Sequence, residues 1–371
     1  MRTRALPVVA LALALVPAGV RAQAPTFGAS AGFETYKFSD PATTGVDAIS
    51  LITTPIAARV PLGGGVVFDV SGAYARGSLK RADGTTVTLQ GPTDTHVGLS
   101  YEPLPQALTI TAVALLPTGK EKLTDDEAEV AGIVAADLLP FEISNWGSGG
   151  GAGGSMAYAH AFGGFGLGAS ASYLVARRFD LIGSPTLGYR PGNQLRLRVA
   201  LDAATGMTGK ASLQLTYQHA NDDQVNGSNL FRSGDRFQAM GSYAFAAGAR
   251  SSGIVYAGVL HRAAGTYFVT QQVSAPREDL LLGGGGFRLP LGGGSVVLPS
   301  ADVRVLRRGD RLDQGVIASV GASAELGSSG SHVVVVPALR GRFGQSLVSE
   351  GNSSSFTGLD VSLGIRFGGS R

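Results

Sequence analysis

Residues 359–367 read LDVSLGIRF: Leu359, Val361, Leu363, Ile365 and Phe367 alternate with Asp360, Ser362, Gly364 and Arg366. Successive side chains of a strand point to opposite faces, so this period of two builds one apolar face and one polar face. A single strand of this kind suits a soluble sandwich as well as a barrel. Repetition decides between them.

Working back along the chain, the same alternation recurs. Thr95, Val97, Leu99 and Tyr101 alternate with His96, Gly98, Ser100 and Glu102; Leu195, Leu197, Val199 and Leu201 alternate with Arg196, Arg198, Ala200 and Asp202. Leu213, Leu215 and Tyr217 share a face, as do Phe237, Ala239, Tyr243 and Phe245. Comparable stretches cover Val66–Arg76, Gln106–Leu116, Phe165–Val175, Ile254–Arg262, Val296–Arg307, Val316–Leu326 and Val333–Phe343.

The connections fall into two kinds that alternate strictly. Short ones are Pro61–Gly65, Pro103–Pro105, Gly163–Gly164, Thr205–Gly206, Gly248–Arg250, Pro290–Gly294 and Gly327–Gly330. Longer, more polar ones are 39–46, 79–92, 117–149, 178–192, 220–234, 263–279, 308–314 and 344–354. Short turns on one rim and long loops on the other mark an all-β, up-and-down antiparallel transmembrane barrel. The spacing predicts about 16 strands, with the segments at 46–60 and 280–289 the weakest, so that about 12 or 14 stay open.

The ends and the composition agree. Arg2 and Arg4, an apolar run from Ala5 to Val16, and Ala22-Gln23-Ala24 have the layout of an export signal, which assigns 1–24 to a signal peptide and 25–371 to the barrel. Basic residues fall from 30 to 27 without Arg2, Arg4 and Arg21, matching the 27 acids, so the surplus of positive charge is no nucleic-acid footprint. Collagen is excluded because the 55 glycines lack a period of three, and 44% hydrophobic residues argue against disorder. Beyond the signal no apolar run reaches the ~18 residues of a spanning helix.

Closure leaves no strand edge in hydrocarbon, which places the apolar faces toward lipid and the polar faces toward the lumen. Tyr74, Tyr101, Tyr173, Tyr217, Phe245, Phe343 and Phe367 lie near strand ends, where an interfacial aromatic girdle belongs. Asp69, Glu102, Arg196, Arg198, Asp202, Arg236, Asp302, Arg304, Glu325, Arg340, Arg342, Asp360 and Arg366 are expected to point inward. They either line a selective pore or pair across strands and fill the interior.

Loop 117–149 is the candidate gate, through Pro117, Thr118, Gly119, Glu127 and Trp146. Thr124-x-x-Glu127 has the form of a capping box opening a short helix toward Leu138. The loop folds into the lumen or lies across the rim. Its acids Asp125, Asp126, Glu127 and Glu129 read as a cation site or as a solvated helix start, and the helix dipole favours the second.

Catalytic, metal and cofactor readings find little support. His96, His160, His219, His261 and His332 are dispersed without ligand spacing, no Ser/His/acid grouping is recognisable, and Gly206–Lys210 lacks a full phosphate-loop pattern.

Leu115-Leu116-Pro117-Thr118-Gly119-Lys120 ends a strand, and Asn145-Trp146-Gly147-Ser148-Gly149 leads into the next one. Across 106–177 this resembles the outer-membrane transporter-like family linked to the MetA pathway of phenol degradation. The resemblance implies passage of hydrophobic or aromatic small molecules across the outer membrane. The last strand also looks like a barrel-assembly signal, although Phe367 is followed by further residues. The expected surroundings are outer-membrane lipid and lipopolysaccharide, with the barrel-assembly machinery as folding partner, an unidentified small-molecule substrate and no nucleic acid. The competing readings are a structural or surface-interaction barrel without transport and a hydrolase at the rim.

Overall fold

The computed structural model describes residues 24–180, 188–206, 208–248, 250–268, 272–308, 314–327, 332–349 and 352–368. The expected export signal lies outside these residues, save for Ala24.

Sixteen antiparallel strands close a barrel. They are β1 Thr26–Phe38, β2 Val46–Gly63, β3 Val66–Arg81, β4 Thr95–Leu104, β5 Leu108–Leu116, β6 Gly151–Phe162, β7 Phe165–Ala176 and β8 Gln194–Thr205. They continue as β9 Gly209–Ala220, β10 Arg236–Ala246, β11 Ser252–Arg262, β12 Glu278–Gly292, β13 Ser295–Arg308, β14 Gly315–Glu325, β15 Val333–Ser349 and β16 Asn352–Phe367. Closure comes from β1 against β16, in register from Phe27↔Phe367 to Phe38↔Phe356. The two least distinct segments of the sequence are strands β2 and β12, so the smaller strand numbers fall away.

Tight turns gather on one rim. Gly63, Gly64 and Gly65 turn β2 into β3 with φ of 90°, 59° and 79°, a left-handed path that a side chain would strain. The opposite rim carries the long connections, which contain more structure than their polar sequences suggest. Loop 79–92 is a hairpin: β3 runs on to Arg81 and returns as an arm, Thr86–Pro92, paired from Lys80↔Thr86 to Tyr74↔Pro92. The arm alternates, with Thr86, Thr88 and Gln90 facing away from buried Val87 and Leu89, but it spans only seven residues inside a polar stretch. Loop 344–354 is likewise mostly strand, the ends of β15 and β16. Short strands in three further loops, Phe179–Asp180, Gly188–Arg190, Asp223–Val225, Ser228–Arg232, Gly265–Phe268 and Gln272–Ala275, pair into a six-stranded sheet.

The outward faces are apolar. Leu197, Val199, Leu215, Phe237, Leu339, Phe343, Leu359 and Leu363 are all exposed. Tyr74, Tyr101, Tyr173, Phe343 and Phe367 of the expected girdle are exposed as well.

One expectation needs correction. Apolar residues do not all face outward: Tyr36, Ile49, Leu51, Leu79, Leu89, Ile317 and Phe356 are buried in a cluster with Val130, Val134, Leu138, Leu139 and Trp146 of the long loop. The register explains the placement, because Tyr36 and Ile49 are partners and lie on the face that also carries Glu34, opposite exposed Phe33. An inward apolar residue is stable where another part of the chain covers it. The loop is that cover.

Candidate functional site

Between β5 and β6 the chain enters the lumen. Helix α1, Pro41–Thr44, is a single turn elsewhere on the loop-side rim, and α2, Asp125–Val134, is the loop's own helix. The capping box forms as the sequence predicts: the Glu127 amide donates to Thr124 Oγ1 at 3.3 Å, and the Thr124 amide donates to Glu127 Oε2 at 3.1 Å. The helix stops at Val134, short of Leu138. Its buried Val130 and Val134 pack on β3 and the arm, where Gly77 permits the approach: a Cβ there would lie 2.9 Å from Val130 and 3.0 Å from Trp146.

Polar bonds pin the remainder of the loop. The Trp146 indole N–H donates to the Ala75 carbonyl at 3.1 Å. Removing a side chain of this size from water contributes on the order of 3 kcal/mol. The Glu142 amide donates to Glu34 Oε2 at 2.8 Å, and Thr53 donates to the Glu142 carboxylate. Asp94, between the arm and β4, holds both stems: it accepts from the Gly119 amide at 3.1 Å and from the Ser148 amide and hydroxyl at 2.7 and 2.6 Å. Sequence reasoning missed Asp94. The only signal was a break in alternation at Pro92-Thr93-Asp94.

The loop therefore lies within the lumen, against the sector of β1–β3 and β14–β16, rather than across the rim. On its turn side lie cavities of about 900 and 990 Å³, the second walled by Glu142, Asn145 and Ser148 of the loop and by Ala57, Ser71 and Ser362 of the strands. On its loop side a cavity of about 530 Å³ separates the end of α2 from β10–β13.

No protein-family model matches the chain, and no curated protein matches it. Its backbone is similar to a bacterial polysaccharide outer membrane secretin at a TM-score of 0.50 and 11% identity, over 95% of this chain and 100% of that one. Looser likenesses are the CymD monoaromatic hydrocarbon channel, at a TM-score of 0.44, 10% identity and 94% and 90% coverage. A mutant of the Rh. blastica porin follows at 0.39, 14%, 92% and 99%. The fold is that of an outer-membrane barrel.

In that barrel the register places the expected charged residues, Glu102 excepted, on the interior face. Asp69 and Arg366 border the 900 Å³ cavity, where Arg59 lies 3.8 Å from Asp69, and Glu325 takes Arg366 at 2.6 Å and Arg288 at 3.2 Å. Arg340 lies 3.6 Å from Asp302, and Asp202 is 3.0 Å from Lys210. Arg342 is buried between Glu34, at 3.0 Å, and Asp360, at 2.8 Å, with the Tyr36 hydroxyl also accepting from it. Arg304 shares a rung with Leu282 and Ile317. Arg198 borders a cavity of about 250 Å³ with Ala157 and Ser170. Glu102 sits apart at the turn rim, its amide donating to the Gly65 carbonyl at 2.9 Å.

One arrangement was not foreseen. Arg196, Gln218, Arg236, Arg262, Glu278 and Arg308 are successive register partners, forming a single rung across β8–β13 at the loop-side mouth. Glu278 is buried between Arg262 and Arg308, the latter at 3.3 Å. Directly below Arg262, Glu278 and Arg308 lie Leu260, Leu280 and Leu306 on the same face.

The gate residues identified in the sequence sit at the loop's stems and helix. Pro117 packs beside Gly150, and Thr118 donates to the Thr93 carbonyl at 2.9 Å. Three of the four acids are partnered: Asp126 and Glu129 accept from Arg81, and Glu127 pairs with Lys120. Burial pushes the Glu127 carboxyl up, but Lys120 and the Thr124 amide outweigh it and hold the group below its ordinary value of 4.5. A depressed folded-state value means stabilisation that is complete above 4.5 and lost as pH falls through the lower, folded value. Acidification from pH 7 is therefore expected to loosen α2 only below about pH 4.5, read as faster protease cutting within 121–135. Loosening already at pH 6 would refute this.

Proposed function

We propose that the protein is an outer-membrane channel for small hydrophobic or aromatic molecules. The observation that carries this reading is the loop folded into the lumen, which leaves on its loop side a cavity of about 530 Å³ whose lining includes Phe38, Val46, Ile133, Leu138 and Leu306. Apolar side chains in that lining offer the hydroxyls of a sugar no hydrogen-bond partners. A hydrophobic solute exchanges water for them at a gain of roughly 25 cal/mol per Å². The motif resemblance over 106–177 supports the same substrate class, and the strict turn-and-loop asymmetry supports long loops facing outward.

Cells with an intact lipopolysaccharide layer that express the barrel are expected to take up toluene faster than vector controls, while liposomes holding the purified barrel swell little in arabinose. Rapid arabinose swelling would point to a general porin. Absence of both would favour the structural reading, for which the six-stranded loop sheet with exposed Tyr267 and Val273 is the supporting feature.

A further inference from the structure

We propose that the loop-side cavity is a binding site for small hydrophobic carboxylates, a proposal that rests on the channel reading and narrows its substrate class. The site has two halves of opposite character. One is the rung Arg236, Arg262 and Arg308, each at the mouth-side end of its strand and bordering the 530 Å³ cavity. The other is apolar, from Leu306 on the wall to Ile133 and Leu138 on the loop.

Charge and shape select the ligand. Glu278 and Asp137 also border the cavity, so three guanidinium groups face two carboxylates and the set lacks one negative charge. Glu278 is already engaged by Arg262 and Arg308, whereas the Arg236 side chain makes no hydrogen bond or ion pair among the described residues. A guanidinium presents a planar fork matched to a carboxylate, which makes a monoanion of that geometry the natural complement. A volume of about 530 Å³ lies within the range for small-ligand sites. The apolar half is shielded from lipid by the wall, so burial of an aryl or short alkyl body there is favourable only once the ligand enters the lumen. The rung thus orients the anion at the mouth while its apolar end reaches Leu306 and the loop.

Calorimetric titration of the detergent-purified full barrel at pH 7 with benzoate, benzyl alcohol, acetate and inorganic phosphate tests the site. Benzoate is expected to bind at least about tenfold tighter than its neutral isostere or acetate, the value of one charge-assisted bond or a comparable apolar burial. Arg236→Gln is expected to remove about that factor for benzoate and leave benzyl alcohol unchanged. Arg308→Gln, at a position whose side chain is 53% exposed, gives the same test should the first variant not fold. Benzoate binding no tighter than benzyl alcohol or acetate, phosphate binding as tightly, or affinity unaltered in a folded variant would each overturn the proposal. Toluene uptake without benzoate binding would overturn this site and leave the channel standing. Benzoate binding without any solute passage would do the reverse.

Discussion

Excising residues 121–144 and joining the ends through a short glycine–serine linker is expected to raise single-channel conductance several-fold and abolish discrimination between toluene-sized and sugar-sized solutes. The segment removed contains α2, Leu138 and Glu142, which occupy the lumen. The anchors kept are Gly119, Trp146 and Ser148, which hold the stems to Asp94 and Ala75. The ends to be joined are already close: a Cβ at Gly147 would lie 2.7 Å from the Lys120 carbonyl oxygen. Excision exposes Tyr36, Ile49, Leu51 and Leu79 to lumenal water, so a stability loss accompanies the wider passage. The barrel itself survives, because its hydrogen-bond ladder is closed by β1 and β16 without help from the loop. Planar-bilayer recordings check the conductance, and heat-modified gel migration checks folding. Unchanged conductance in a folded variant would mean that the open path bypasses the loop.

The barrel was legible in the sequence because its signal is redundant. Each strand that contacts lipid on one face must alternate, and Leu195–Leu201 of β8, Leu213–Tyr217 of β9 and Leu359–Phe367 of β16 do so. Strand β12 was weak for a physical reason: Gly283–Gly286 supply no side chain to show a period, and they are small because the neighbours are close. A Cβ at Gly284 would lie 2.6 Å from the Tyr256 hydroxyl and 2.8 Å from Asp302. Glycine there records contact between strands, which a hydropathy pattern does not register.

The site was less legible because its parts act across the chain. Arg236 stood out as an inward charge, but Arg262, Glu278 and Arg308 lie at strand ends beside polar loops, and only the register aligns them. The capping box at Thr124 could be read locally, since its partners are three residues apart. Asp94 could not, because Gly119 and Ser148 lie 25 and 54 positions away. The inward apolar residues misled for a related reason. Alternation states that two faces differ, but which of them meets hydrocarbon depends on what else fills the lumen.

Replacing Arg342 with methionine is expected to destabilise the barrel by about 3–5 kcal/mol, the cost of leaving buried carboxylates without their cation. Arg342 is 5% exposed and lies between Glu34 and Asp360 on the interior face. Glu34 also accepts from the Glu142 amide, so one carboxylate joins the wall to the loop. Loss of the guanidinium leaves Glu34 and Asp360, register partners on adjacent strands, repelling each other in a poorly solvated site. Water drawn in beside Glu142 to hydrate the pair releases that part of the loop as well. The variant should therefore show an earlier denaturant midpoint and larger current fluctuations together. Arg59→Ala is the matched control, because its pair with Asp69 is 3.8 Å long with side chains 57% and 40% exposed. Its removal should cost under about 1 kcal/mol and leave the current steady. Equal effects of the two substitutions would show that burial of Arg342 contributes nothing to holding the loop.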